Sequence, residues 1–120
     1  MQGESDSIGS YANTYEKATK QFVNHLRTDF SQYIYDHMNF VDAFISTKSP
    51  HWEHPDKVNL AKDKVASLSS HNYCIHTNGE DDNAIDLVLK SQSGEENDAA
   101  HYDSLSMLYL GVEAGKYLIK

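Results

Sequence analysis

Four residues able to bind a metal stand in one short run: His51, Glu53 and His54, around Trp52 and between Pro50 and Pro55, and Asp56 just after. Imidazole and carboxylate donors suit zinc or another first-row metal. Ligands this close in sequence need a scaffold to converge on one ion. The two prolines instead describe a rigid turn with Trp52 packed inward. The expectation is therefore no metal and no cofactor, with His51 and His54 as the alternative metal ligands. His25 and Asp29 lie four apart, a spacing that sets side chains side by side on a helix, as do His37 and either Tyr33 or Val41. Such neighbours arise constantly by chance and read as a surface pair and a partly buried, hydrogen-bonded histidine. Cys74, between His71 and His76, invites a thiolate–imidazole reading. A nucleophilic cysteine needs a lowered pKa and a site for an oxyanion, and no motif here supplies either.

Other catalytic signatures are missing from the sequence. It has no Gly-rich phosphate loop, no Gly-x-Ser-x-Gly elbow and no His-Glu-x-x-His. Asn78–Asp82 has the composition of a calcium loop but neither its spacing nor its final bidentate Glu. No catalytic residue is expected.

Charge is the stronger signal. Between Gly79 and Asp103, eight carboxylates face the single base Lys90 and leave −7 of the chain's net −8. So negative a segment repels nucleic acid and anionic lipid and attracts basic surfaces. The one arginine, Arg27, against nine lysines makes arginine-fork recognition of nucleic acid improbable. Eight tyrosines add contact area of the kind that marks protein interfaces when exposed, and Tyr35, away from the main apolar stripe, is the best placed. The expected partner-binding residues are Tyr35, Glu80, Asp81, Asp82, Glu95, Glu96 and Asp98, and the expected partner is a protein with a basic surface.

The elements that must position these residues read as helices. Met1–Ser10 is polar, small and acidic and reads as a flexible arm before one domain, residues 11–120. Tyr15, Ala18, Phe22, Leu26, Phe30, Tyr33, His37, Val41 and Phe44 recur every three or four residues, which predicts one long helix from about Tyr11 to Thr47 with that face buried. Pro55 suits the first turn of a second helix carrying Val58, Ala61, Val65 and Leu68 and ending near Ser70–Asn72. Tyr73–Thr77 alternates like a strand but has no second strand to pair with, so it reads as a loop. A short buried helix follows, with Ala84, Ile85, Leu87, Val88 and Leu89, ending near Gln92 with Gly94 as terminator. Asp98 then caps a last helix through Tyr102, Leu105, Leu108, Tyr109, Val112 and Ile119. Gly111 and Gly115 on it read as a close approach to a neighbouring helix of the same fold.

The sum is an all-α compact helical bundle around one long N-terminal helix, with about three shorter ones. Residues 1–11 lack the basic start and apolar core of a signal peptide, and no run approaches the ~18 apolar residues of a membrane span. With a single cysteine, the expected location is intracellular, most simply cytoplasmic, signal-independent secretion being the other route. The functional expectation is a non-enzymatic interaction module: an adaptor, a chaperone-like partner or an inhibitor of another protein. The alternative is a metal-dependent helical enzyme or metal sensor built on the histidines.

Overall fold

Phe40, Val41, Phe44 and Ile45 fit one face of a helix, and they fit equally a short strand that is apolar on both faces. The molecule takes the second option. In the computed structural model, which describes residues 2–34, 36–81 and 84–119, β1 (Phe40–Ala43) pairs in parallel with β2 (Asn72–Ile75). The register runs from Phe40 opposite Asn72 to Ala43 opposite Ile75. Parallel neighbours need a crossover connection, and α2 (Pro55–Ala66) supplies it, with Pro55 in its first turn as expected. The all-α bundle is thereby corrected to a mixed α/β fold, with helices arranged about one small βαβ unit.

The long helix from Tyr11 to Thr47 does not form. α1 covers only Tyr15–Asp29, and a 3-10 turn, Ser31–Tyr33, follows it. Arg27 fixes this end: its Nη2 donates to the carbonyls of Met38 (3.1 Å) and His71 (3.2 Å) and to Asn72 Oδ1 (2.6 Å). The end of α1 is thus tied to the approach to β1 and to the start of β2. The strand missed at Tyr73–Thr77 has the same cause, because its partner lies inside the segment read as helix.

The expected helix from Ala84 to Gln92 is also replaced. The amides of Ile85 and Leu87 donate to the carbonyls of His76 (3.0 Å) and Thr77 (2.9 Å), so this stretch runs extended beside the continuation of β2. Only Lys90–Ser93 is helical (α3), and Gly94 ends it with a left-handed φ of 79°. α4 covers Ser104–Leu118 and is capped by Asp103, whose Oδ1 accepts from the Ser106 amide at 2.8 Å, and not by Asp98.

Two apolar clusters flank the sheet. Ala43, Ile75, Leu87, Leu89, Tyr102 and Leu110 form one; Ala12, Tyr15, Ile45, Val58 and Ala61 form the other. Asn59 serves as a side-chain substitute for a strand neighbour, accepting from the Ile45 amide (2.9 Å) and donating to its carbonyl (3.0 Å). The first ten residues, set apart in the sequence as an arm, include the 3-10 turn Ser5–Ser7, with Ser7 buried and its carbonyl accepting from the His54 amide. Gly3 has a φ of 115° and sits so close to Val58 that a Cβ there would lie 2.8 Å from Val58 Cγ1. Phe44 is buried as expected, but Phe22, Phe30 and Tyr33 are 55%, 50% and 77% exposed. The stripe predicted to be the centre of the core is therefore largely surface.

Candidate functional site

Because α1 stops at Asp29, it and α4 stand apart, with β1 between them. The space they leave is an open groove of about 630 Å³. Ala18, Thr19 and Phe22 of α1 form one wall, Leu110 and Ala114 of α4 the other, and Phe40–Ala43 with Ile75 the floor. The lining is mainly apolar, and its volume falls within the ~300–1,000 Å³ of ordinary ligand sites. Two carboxylates, Asp6 and Asp42, also line it.

Asp42 is held by a buried lysine. Lys62 has no exposed side-chain surface, and its Nζ donates to Asp42 Oδ1 (2.9 Å), the Ala43 carbonyl (2.6 Å) and the Gln2 carbonyl (2.5 Å). All three ammonium protons are therefore used. Its position could be read from the sequence: Val58, Ala61, Lys62 and Val65 share the inner face of α2. Tyr15 lines the groove beside it and donates its hydroxyl to the Gln2 carbonyl at 3.3 Å. Burial, with Asp42 nearby, pushes the Tyr15 hydroxyl pKa up, so it stays a neutral phenol.

The histidines are distributed and do not converge. His51 is exposed and meets the Trp52 ring edge-on at 6.1 Å between centroids, and His54 is the N-cap residue of α2. His37 stacks on His71 at 4.1 Å. His76 lies flat on Phe44 (4.2 Å), with Nε2 on Asp63 Oδ1 (2.8 Å) and Nδ1 on Asp81 Oδ2 (2.9 Å). Partial burial works against its charge, yet the two carboxylates hold its pKa above the ordinary value. With a carboxylate on each ring nitrogen, this imidazole has no nitrogen left to serve as a base toward a third group. At Cys74 burial, reinforced by Asp42 and Asp63, pushes the thiol pKa up, which disfavours the thiolate that a nucleophile needs. Among the described residues, no group of three or more His, Cys, Asp or Glu side chains is arranged to hold a metal ion.

The acidic residues occupy two separate loops. Asp81 is bound to His76, and Glu80 Oε2 accepts from the Asn78 amide at 3.2 Å. In the other loop, Glu95 accepts from the Ser104 amide (2.8 Å) and hydroxyl (2.5 Å), Glu96 pairs with Lys90 (3.1 Å), and Asp98 holds His101 and the Ala100 amide (both 2.8 Å). Those bonds hold the Asp98 carboxyl at about 2. Tyr35 and Asp82, the remaining expected binding residues, lie outside the described residues. Sequence reasoning missed the groove because the period that marked Phe22 as core was extended through a strand.

Compared with known proteins, the chain matches no family model, no curated protein and no solved structure. Among the described residues, no helix is long and apolar enough to cross a membrane.

Proposed function

We propose that this chain is a small, acidic, non-enzymatic interaction module, an adaptor, chaperone-like partner or inhibitor, that takes up an apolar side chain of another protein between α1 and α4. The observation that carries this reading is the groove itself, whose apolar wall includes Phe22 at 55% exposure. A soluble fold has no internal need to leave a large aromatic side chain at the rim of an apolar groove. Asp6 and Asp42 in the lining favour a partner with a basic residue beside its apolar anchor. Glu80, Asp81, Asp82, Glu95, Glu96 and Asp98 add a negative field that speeds encounter with a basic surface and weakens as salt rises. Nucleic acid and anionic membrane are disfavoured by the same sign of charge.

Capture from a lysate of the source organism tests this when immobilised wild type is compared with Phe22→Glu. Phe22 is exposed, so its replacement leaves the core intact. A protein retained by wild type and lost with Phe22→Glu is the expected result; equal retention by both overturns the assignment to the groove.

A further inference from the structure

We infer that the outer face of α4 is where a second copy of this chain docks, antiparallel and related by a twofold axis. The face that α4 turns to its own core carries Ser106 and Leu110, both buried, with Ala114 and Tyr117 partly buried behind them. Half a turn away, at helical spacing, lie Ser104, Leu108, Gly111, Val112, Gly115 and Ile119. Leu108 is 69% exposed and Ile119 89%, and Leu105, Met107, Tyr109, Val112 and Leu118 are each at least half exposed. A helix apolar all round is normally buried all round. The only charges from Ser104 to Ile119 are Glu113 and Lys116, which pair with each other, so the outer face carries none.

Gly111 and Gly115 point to what covers it. A Cβ added at either would meet nothing within 4 Å, so nothing among the described residues explains two glycines in a helix interior, where they are unfavourable. Among the described residues, the close approach expected inside the molecule is absent. Glycines on an exposed helix face let another helix come close. The sequence complements itself in one arrangement. If two copies of α4 cross antiparallel with the axis between Gly111 and Val112, Leu108 faces Gly115 of the second copy, Val112 faces Gly111 and Ile119 faces Ser104. Each bulky side chain then lies over a small one, while Leu105 meets Leu118. A parallel pair would set Leu108 against Leu108 and lose this fit. The five exposed apolar side chains on this face, Leu105, Leu108, Val112, Leu118 and Ile119, each offer on the order of 100 Å², the larger part of the ~800 Å² per partner of a stable interface, and Met107 and Tyr109 stand at its two margins. Such an isologous pair closes on itself. The groove opens beside Leu110 and Ala114, on the other side of α4, and stays free in the dimer.

Sedimentation equilibrium on the full chain, alone and as Gly111→Leu/Gly115→Leu and Leu108→Glu variants, tests this. Wild type should be dimeric at micromolar concentration, and both variants should dissociate at least about tenfold more readily. Circular dichroism of the monomeric glycine variant should show undiminished helix, because leucine favours helix over glycine. A monomer at about 100 μM, or a dimer untouched by the glycine substitutions, overturns the proposal. So does a monomer that floats with neutral phosphatidylcholine vesicles and ceases to on Leu108→Glu, since the face would then belong to a lipid surface.

Discussion

Replacing Lys62 by Met removes three hydrogen bonds at once and leaves Asp42, 11% exposed, without its counter-ion. A carboxylate stranded in this way costs about 3–5 kcal/mol. Chemical denaturation of Lys62→Met should show a loss of that size, and a loss below about 1 kcal/mol would mean that the pair is solvated. His76 gives a second test at this scale. Its folded pKa lies above the ordinary histidine value of about 6.5. The stabilisation it contributes is therefore fully present below about pH 6.5 and is lost as pH rises through the higher folded value. The stability gap between wild type and His76→Gln should narrow on going from about pH 6 to pH 8. An NMR titration placing the His76 midpoint at or below about 6.5 would contradict it.

At the scale of elements, the decisive difference from the sequence reading is that Phe40–Ala43 is a strand. Under the long-helix reading, Phe30→Ala would have cost several kcal/mol. With Phe30 half exposed in a turn, the substitution should change stability by less than about 1 kcal/mol. Ile45→Ala, at a side chain with no exposure, should cost about 2–5 kcal/mol. The reverse ranking in thermal denaturation would restore the helix. α4 owes its start to two acidic residues, Asp103 on the Ser106 amide and Glu95 on the Ser104 amide. Asp103→Ala should therefore lower the melting temperature and speed hydrogen exchange at Ser106 more than Asp98→Ala does.

What the sequence shows at this scale follows from how local each signal is. Pro55 opening α2, Gly94 closing α3 and the inner face of α2 with Val58, Ala61 and Val65 depend on neighbours within a turn or two, and all are present. By contrast, α4 buries Ser106 and Leu110 and leaves Leu105, Leu108, Tyr109, Val112 and Ile119, the stripe expected to pack, exposed. The sheet depends on Phe40 meeting Asn72, thirty-two residues apart, and a run such as Phe40–Ile45 satisfies helical and strand patterns alike. The groove inherits that ambiguity, because it exists only where α1 ends early. Lys62 was legible as a base on an apolar stripe. Its counter-ion Asp42 was not, since it sits on the misread segment.

The whole molecule measures 46 × 33 × 25 Å, with a radius of gyration of 14.9 Å against about 14 Å for a compact chain of this length. The excess fits a fold whose first and last helices stand away from each other across β1. Its charge is concentrated in the two loops that flank the short helix α3, while its exposed apolar surface gathers chiefly on α4. On the proposed reading, charge and apolar surface would act at different stages, the loops on encounter and the groove on retention.

Binding of the captured partner, measured by surface plasmon resonance at low and high salt, tests the groove most directly. Wild type, Phe22→Glu and a variant with Glu80, Asp81, Asp82, Glu95 and Glu96 neutralised to Gln or Asn are compared. Phe22→Glu should raise the dissociation rate at least about tenfold at either salt concentration. Neutralisation should lower the association rate and flatten its salt dependence. A dissociation rate unchanged by Phe22→Glu would contradict capture in the groove between α1 and α4.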